Sequence, residues 1–422
     1  MEDNKKVIIC GVNLGNSKDF EYSMQELKSL CDACNQDVIG ELIQNSDEVS
    51  STHYLGKGKL EELSKLIKEK DADTVVFSDE LSPSQIRNIE SRLNCFIMDR
   101  TNLILDIFAN RAKTRESKLQ VEIAMLQYML PHLIGSRANL GRQSGGSGSG
   151  NQNKGIGETK LELDRRKINE RIAMLKKELD RITKYRVVQR NLRKKNNTPI
   201  VSLVGYTNSG KSTIMNSMVD LYTKDNDKKV FEENMLFATL ETSVRQIKLK
   251  DNKTFLLTDT VGFIDKLPTK LIKAFRSTLE EILEADLIIH VVDYSNSHYK
   301  EQINITDKTL EDIGVSKDTP VIYAYNKSDL TNLKIPMIDG SNIYMSARQK
   351  IGMDEFVDLI KKKLFSDYVE CKLLIPYNQG NIVSYLMENS KVLSNEHLEN
   401  GTFLHLECKK EIYEKYIMYK HS

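Results

Sequence analysis

Short apolar runs alternate with segments of helical periodicity along residues 7–112. The apolar runs VIICGV, DVIGELI, DTVVFSD and NCFIMDR have the length and β-branched content of buried strands. Between them lie segments such as KLEELSKLIKEK and SPSQIRNIESRL, whose apolar residues recur with helical spacing. Ser82 and Pro83 supply the N-cap and first-turn residues of the second of these. Strands that alternate with helices predict a parallel α/β domain over residues 1–112.

The apolar period changes over residues 113–197. One run steps by four and three residues, at Leu119, Ile123, Leu126, Leu130 and Leu133. Similar stepping returns at Leu161, Ile168, Ile172, Leu175, Leu179 and Ile182. Two such seams predict an antiparallel helical hairpin, whose tip is the glycine-rich stretch 145–157. Pro131 is expected to kink or end the first helix, and composition alone favours a disordered linker for the tip.

A third pattern begins at residue 198. An apolar strand, a glycine-rich turn and a helix are followed by apolar runs near residues 254–258, 287–292, 321–325 and 343–345. This order predicts a doubly wound α/β domain over residues 198–365. Residues 366–422 contain VECKLLIPY, GNIVSYLMENS and TFLHLEC, which predict a small C-terminal α+β unit. The whole chain is therefore predicted to be an α/β multidomain protein.

Composition narrows the class of protein. The chain has 422 residues, of which 40% are hydrophobic and 29% are charged, and a formal net charge of +1. No apolar run approaches the roughly 20 residues that a membrane-spanning helix needs. The opening residues MEDNKKVIICGVNLG fit a first strand better than a secretory signal. We expect a cytoplasmic, monomeric protein that does not contact the membrane.

The clearest chemical signal is the segment GYTNSGKS directly after the apolar strand PIVSLV. Its glycines let backbone N–H groups converge on phosphate oxygens, Lys211 reaches the β- and γ-phosphates, and the Ser212 hydroxyl is a ligand for Mg²⁺. The segment is a phosphate-binding loop (P-loop) in its required strand–turn–helix context. It contributes nine candidate nucleotide-binding residues: Gly205, Tyr206, Thr207, Asn208, Ser209, Gly210, Lys211, Ser212 and Thr213.

Three further elements follow in the order expected for a GTPase. Asp259 ends an apolar strand, where it can hold Mg²⁺ through water, and the Gly262 N–H can meet the γ-phosphate. The Asp329 carboxylate can accept the N1–H and the exocyclic amine of guanine, which adenine does not offer. A later Ser-Ala-Arg segment would close over the base. The additional candidate residues are Asp259, Thr260, Val261, Gly262, Asn326, Lys327, Asp329, Ser346, Ala347 and Arg348.

The segment that senses the γ-phosphate must supply a threonine before Asp259. Thr239 and Thr242 both stand in FATLETSVR, and residue type favours Thr239 only weakly. Phe263 occupies the position where many GTPases place a water-orienting glutamine. A phenyl ring cannot orient water by a strong hydrogen bond, so we expect slow intrinsic hydrolysis unless a partner supplies the missing group. In the alternative, Phe263 only anchors the core and another residue contacts the water.

Several stretches together resemble the HflX family of ribosome-associated GTPases. They are LGKGKLEEL, VVFSDELSPSQIRNIE, DRTNLILDIFANRAKTRESKLQVEIAML, GETKLELDRRKINERI, LVGYTNSGKST, LFATLE and DTVGFI. The resemblance implies GTP and Mg²⁺ as cofactors and the large ribosomal subunit with its rRNA as the partner. It also implies stimulation of hydrolysis by the ribosome and separation of stalled ribosomes into subunits. It further assigns Thr239 to the metal, with Ser212 and Asp259, and Phe237 and Ala238 to the nucleotide; Lys211, Thr239 and Gly262 would be catalytic.

The resemblance turns the hairpin into a candidate RNA-binding element. Residues 160–195 contain fourteen Lys and Arg against five Asp and Glu, and such an arm can contact phosphates, although a solvated helix face has the same composition. The candidate contacts are Arg142, Gly145, Gly146, Lys154, Arg165 and Arg166. The tip SGGSGSGNQNKGIGETKLE lacks the arginine and proline of the family pattern GGxGxRGPGET. The switch ATLETSVR likewise departs from ATLDPTTR.

Three other functions remain open from the sequence. The first is a GTPase of ribosome assembly or rRNA maturation, in which the hairpin only recognises rRNA. The second is an RNA-remodelling factor that binds ATP phosphates through Gly56, Lys57, Gly58 and Lys59 at a turn before a helix, although a plain helix start has the same pattern. The third is a nucleotide-gated interaction module in which hydrolysis plays no part.

Overall fold

A computed structural model describes residues 5–15, 17–136, 152–195, 198–222, 236–237, 242–265 and 276–421. The chain divides into two compact units. The first comprises Met1–Gln189, Glu233–Glu241 and Lys266–Ser277, and the second comprises Arg190–Glu232, Thr242–Asp265 and Thr278–Ser422. None of the helices among these residues is both long enough and apolar enough to cross a membrane.

The first unit opens with a parallel α/β domain. Its elements are β1 (Lys5–Asn13), α1 (Ser17–Ala33), β2 (Gln36–Asn45), α2 (Lys57–Lys70), β3 (Thr74–Phe77), α3 (Pro83–Leu93), β4 (Phe96–Asp99) and α4 (Arg100–Arg111). The strands form a parallel sheet in the order β2-β1-β3-β4. Ile8, Val75 and Phe77 of this sheet share a buried core with Leu60 of α2 and Ile89 of α3. The predicted parallel α/β domain is confirmed.

A capping box fixes the start of α3. The Ser82 hydroxyl accepts a hydrogen bond from the Gln85 backbone N–H at 3.2 Å, and Gln85 Oε1 accepts one from the Ser82 N–H at 2.9 Å. Pro83 follows the cap, where its missing N–H is not needed. The Gln85 amide also donates to the Ser50 carbonyl at 2.9 Å, which connects α3 to the loop between β2 and α2. The predicted helix start is therefore present.

The first unit also contains the helical hairpin of α5 (Arg115–Ser136) and α6 (Gln152–Lys195). Leu119 and Ile123 of α5 are buried against Ile172 and Leu175 of α6. Two ion pairs show that the helices are antiparallel: Arg115 contacts Glu178 at 2.7 Å, and Arg171 contacts Glu122 at 2.7 Å. The residue later in α5 contacts the residue earlier in α6, as it must when two helices run in opposite directions.

The hairpin corrects two local predictions. Helix α5 does not end at Pro131 but continues to Ser136. The glycine-rich stretch 145–157 is not a loop throughout, because α6 begins at Gln152 and includes Gly155 and Gly157. In both places an element that packs on its partner helix extends through residues with poor helix propensity. Residues 137–151 lie outside the described part of the chain.

The second unit contains a seven-stranded sheet. Its elements are β5 (Ile200–Val204), α7 (Lys211–Tyr222), β6 (Ser243–Lys248), β7 (Thr254–Asp259), α8 (Arg276–Leu283), β8 (Leu287–Asp293), α9 (Tyr299–Ile313), β9 (Val321–Asn326), β10 (Met337–Asp339), β11 (Asn342–Tyr344) and α10 (Met353–Leu364). The order is β10-β11-β9-β8-β5-β7-β6, with antiparallel strands only at the two edges. The strand β6 is absent from the sequence prediction.

The C-terminal part of the second unit is a small α+β arrangement, as predicted. Strands β12 (Tyr368–Ile375), β13 (Lys391–Leu398) and β14 (Gly401–Lys409) form an antiparallel sheet in the order β12-β14-β13. Helices α11 (Gly380–Asn389) and α12 (Lys410–Lys415) complete it. Its separate core includes Leu373, Leu386, Leu404 and Leu406.

The capping box of α3 generates a stability prediction. Ser82→Ala removes the hydroxyl that accepts the Gln85 N–H, and we expect it to lower the free energy of unfolding by about 1 kcal/mol. Ser91→Ala is the matched control, because the exposed Ser91 hydroxyl donates only to the Asn88 carbonyl one helical turn earlier. Urea titrations followed by circular dichroism measure both. Equal stability of the two variants would contradict the role given to the cap.

Candidate nucleotide site

The P-loop lies between β5 and α7, and two of its positions admit only glycine. Gly205 has φ +145°, and a Cβ there would lie 2.2 Å from the Val291 carbonyl oxygen. Gly210 has φ +98°, and a Cβ there would lie 2.1 Å from Asn326 Nδ2. Both values are far inside van der Waals contact. The loop therefore approaches its neighbours more closely than any side chain permits.

Lys211, the first residue of α7, is held inside this loop. It is only 6% exposed, and its Nζ donates to the carbonyl oxygens of Gly205 at 3.0 Å and Tyr206 at 2.8 Å. The pKa of Lys211 is lowered to about 8, mainly by burial, while the Asp259 carboxylate opposes this shift and the nearby Lys327 adds to it. Because the ammonium group has lost much of its hydration, a phosphate at this position would stabilise the cation strongly.

A hydroxyl and a carboxylate meet beside Lys211. The Ser212 Oγ donates to Asp259 Oδ2 at 2.8 Å, and Asp259 is fully buried at the end of β7. Two hard oxygen donors side by side are the kind of ligand set that Mg²⁺ prefers. The third predicted metal ligand, Thr239, lies outside the described residues, as does Ala238.

The segment after Asp259 is joined to the P-loop by backbone hydrogen bonds. The Thr207 N–H donates to the Phe263 carbonyl at 2.7 Å, and the Phe263 N–H donates to the Gly205 carbonyl at 3.1 Å. A Cβ at Gly262 would lie 2.7 Å from the Thr207 Cα and 3.1 Å from Lys211 Nζ. Phe263 is 3% exposed. Its ring is thus a buried anchor, and Gly262 lies directly over the P-loop.

Asn326 connects the P-loop with the Ser-Ala-Arg segment. Its Nδ2 donates to the Ser209 carbonyl at 3.0 Å, and its Oδ1 accepts from the Ala347 N–H at 2.9 Å. Asn326 is 3% exposed, so both backbone groups depend on it for a partner away from water. This amide sets the distance between the loop for phosphates and the loop predicted to cover the base.

The two charged residues after Asn326 have partners that the sequence reading missed. Lys327 contacts Asp293 at 2.7 Å, and Asp329 accepts from Gln349 Nε2 at 3.0 Å. Asp293 ends the parallel strand β8, and a polar residue at that place is a signal the sequence offered. Gln349 carries no comparable signal, because it lies in an exposed turn.

The remaining predicted residues fall into buried and exposed groups. Thr260 is buried and donates to the Leu203 carbonyl at 2.8 Å, while Arg348 is exposed. Phe237 is 2% exposed, and its ring packs edge-to-face on Phe108 of α4 within the first unit, with the centroids 4.8 Å apart. The ring of Phe237 therefore has an apolar contact, and the assignment of this residue to the nucleotide stays a prediction. Tyr206, Val261, Ser346 and Ala347 are buried, and Asn208 and Thr213 are partly exposed.

Three of the six predicted RNA contacts lie on helix α6 of the hairpin. Arg165 and Arg166 are exposed on α6, where Arg166 pairs with Glu170 at 3.0 Å. Lys154 lies in the first turn of α6. Arg142, Gly145 and Gly146 lie outside the described residues.

The bridging role of Asn326 is testable by its removal. Asn326→Ala leaves the Ser209 carbonyl and the Ala347 N–H without their partner, and we expect a loss of about 2–4 kcal/mol in the free energy of unfolding. Asn389→Ala is the matched control, because Asn389 is exposed and its amide donates only to the Tyr385 carbonyl one turn earlier. Urea titration compares the two. A loss under about 0.5 kcal/mol for Asn326→Ala, the range of ordinary surface substitutions, would contradict the bridge.

Comparison with known proteins agrees with this geometry. Sequence models described as "GTP-binding GTPase N-terminal", "GTP-binding GTPase Middle Region" and "50S ribosome-binding GTPase" match residues 21–109, 111–193 and 200–327. GTPase HflX of Caldanaerobacter subterraneus subsp. tengcongensis is 42% identical over 98% of this chain and 93% of its own. GTPase HflX of Escherichia coli K12 is 33% identical over 97% of this chain and 94% of its own.

A solved structure of a GTP-binding protein from the archaeon Sulfolobus solfataricus, in complex with GDP, is also similar. It is 25% identical, covers 86% of this chain and 99% of its own, and has a TM-score of 0.44. The family relationship rests on the sequence matches, which extend over nearly the whole chain. A nucleotide site built on a P-loop and this degree of identity lead to one conclusion: the chain belongs to the HflX family of GTPases, and it binds and hydrolyses GTP.

Proposed function

We propose that this GTPase binds the large ribosomal subunit through its helical hairpin and separates stalled or stressed ribosomes into subunits. The observation that carries the proposal is the outer surface of α6. Between residues 162 and 184, every lysine and arginine is exposed: Arg165, Arg166, Lys167, Arg171, Lys176, Lys177, Arg181 and Lys184. The match to a family described as "50S ribosome-binding GTPase" supports the same partner.

The hairpin is built to present this charge. Leu119, Ile123, Ile172 and Leu175 fill the seam between α5 and α6, and the exposed basic residues of α6 lie outside it. The exposed ion pairs Arg115–Glu178 and Arg171–Glu122 connect the two helices and add a little to the stability of the seam. An array of cations that neutralises RNA phosphates releases condensed counterions, and this release drives association. The hairpin is therefore the element we assign to rRNA.

The nucleotide site supplies the switch. We assign Lys211 and the backbone of the P-loop to the phosphates, Gly262 to the γ-phosphate, and Asp329 to the guanine edge. Ser212, Asp259 and Thr239 are the residues that would hold Mg²⁺, which when bound neutralises charge on the β- and γ-phosphates. The close approach of Gly262 to Thr207 and Lys211 of the P-loop supports the assignment of its N–H to the γ-phosphate.

We assign the dependence of hydrolysis on the ribosome to Phe263. Its ring is buried and cannot form a strong hydrogen bond with water, and its backbone N–H and carbonyl both form hydrogen bonds with the P-loop. We therefore assign the completion of the water-positioning group to the ribosome-bound state. Hydrolysis that follows docking gives a factor that releases after it has acted.

The Gly56–Lys59 segment supports no second nucleotide site. Gly56 is the N-cap of α2, and its N–H donates to Gln44 Oε1 at 2.9 Å. Lys59 contacts Glu62 of the same helix at 2.8 Å. These are the contacts of an ordinary helix start.

Among the described residues of the hairpin, no feature favours a function in ribosome assembly over one in subunit separation. The experiment must therefore distinguish these two functions.

The proposal is tested on intact ribosomes. We expect the protein with GTP to convert intact ribosomes into free subunits, and Lys211→Ala to leave them intact, because that variant loses the cation that holds the phosphates. Sucrose-gradient sedimentation measures the conversion. A profile that stays unchanged with the wild-type protein and GTP would favour the assembly function and overturn this one.

The hairpin assignment has its own test. Arg165→Glu with Arg166→Glu reverses two exposed charges, and we expect weaker binding to large subunits by about tenfold or more, with a smaller dependence on salt. Binding of GTP by this variant should not change. Lys65→Glu with Lys68→Glu reverses two exposed charges of α2 as a matched control. Equal losses in the two double variants, measured by co-sedimentation, would show a non-specific effect of charge and contradict the assignment.

A further inference from the structure

The hairpin of β6 and β7 joins the two segments that surround the nucleotide. β6 follows the switch stretch FATLET, and β7 ends in Asp259. The two strands are paired without interruption from Ser243 with Asp259 to Lys248 with Thr254. At about 3.4 Å per residue, this ladder carries a displacement of its turn to the nucleotide end, roughly 20 Å away. The turn of the hairpin is therefore mechanically connected to the switch.

The turn, residues 249–253, is closed by the Leu249 N–H, which donates to the Lys253 carbonyl at 2.8 Å. Lys253 is a lysine in a polar turn, yet it is only 7% exposed. Its Nζ lies 2.6 Å from Glu407 Oε1 on β14. The same Nζ lies 4.8 Å from the ring centroid of Tyr368 and 5.5 Å from that of Phe365. The C-terminal sheet thus supplies the carboxylate and one of two aromatic faces that hold this cation.

Two neighbours in the turn are held in the same way. Asp251 contacts Lys361 of α10 at 3.1 Å, and the Asn252 amide donates to the Ser390 carbonyl at 3.3 Å. Leu249 is buried in the core of the seven-stranded sheet. Four of the five side chains in the turn are therefore anchored, three of them by polar contacts. A solvated hairpin end would need none of these contacts.

A buried cation makes this attachment difficult to break. Separating Lys253 from Glu407 would leave a charge without its partner in a site that water hardly reaches, which costs far more than breaking an exposed ion pair. The turn and the C-terminal sheet must therefore move together. Any shift of the hairpin between the GTP and GDP states then acts on the C-terminal sheet, and by linkage the sheet acts on the choice of nucleotide.

We propose that Lys253 is a positioning residue, through which the C-terminal unit holds the β6–β7 hairpin in the arrangement that favours GTP over GDP. When the turn is fixed, the chain leading into β6 has fewer backbone conformations, so ordering the switch around a γ-phosphate costs less conformational entropy. When the turn is released, this ordering costs more, and binding of GTP weakens. GDP does not order the γ-phosphate-sensing segment, so its binding should be nearly unaffected.

The experiment compares affinities for a fluorescent non-hydrolysable GTP analogue and a fluorescent GDP, on the full chain without ribosomes. We expect Lys253→Met and Glu407→Gln each to lower the ratio of GTP-analogue to GDP affinity by about five-fold or more, the lower end of typical coupling. Lys253→Arg keeps the charge and the ring contacts, and should stay within about two-fold of the wild type. A purely structural loss would lower both affinities together and leave the ratio unchanged.

Glu370→Gln is the matched control. Glu370 lies on the same sheet and pairs with His405, but its side chain is 64% exposed. We expect it to keep the wild-type ratio. Wild-type ratios in both Lys253→Met and Glu407→Gln would overturn the proposal, as would an equal change in Glu370→Gln. If Lys253→Met does not fold, Glu407→Gln decides alone. The assay contains no ribosomes, so its outcome is independent of the ribosomal function proposed above.

Discussion

The parallel register of β7, β5, β8 and β9 is the constraint on which the site depends. Leu203 pairs with Asp259, and Asp293 pairs with Asn326, so the carboxyl ends of the four strands, three of them polar, reach one end of the sheet. The P-loop leaves β5 at that edge, and Asn326 ties it to the segment at Ala347. Strand pairing thus brings together the residues predicted to contact phosphate, metal and base.

In this arrangement, the residues predicted to hold the nucleotide are distinct from the group that would position water for its hydrolysis. Lys211, Ser212 and Asp259 are pre-positioned by burial and hydrogen bonds, which suits tight binding of a phosphate chain. The backbone of Phe263 forms hydrogen bonds with the P-loop and its ring is buried, so its side chain has no group that could orient water. We propose that a site of this kind binds GTP readily and needs a group from a partner for fast hydrolysis. The basic hairpin in the same chain is the element suited to reach an RNA partner that supplies one.

Elements marked by a local sequence pattern could be predicted from the sequence. Features that depend on contacts between distant residues could not. The P-loop and the central strands follow from apolar runs and glycine spacing. Strand β6 was missed because SVRQIK forms a sheet edge with few buried residues, so it has no apolar run. Lys253 reads as a solvated turn residue, since its partner Glu407 is 154 positions away. Helix α5 continues past Pro131, and Leu126 and Leu130 in the turn before this proline pack against the seam with α6.

The most direct measurement of the central claim is the steady-state rate of GTP hydrolysis by the purified protein, alone and with large ribosomal subunits. If the site lacks only a water-positioning group, the subunits should raise the turnover number by a factor on the order of 10³, as partner-supplied groups do in other GTPases. The Michaelis constant should change much less. A turnover number that is the same with and without subunits would contradict the account, because the chain would then hold everything that hydrolysis requires.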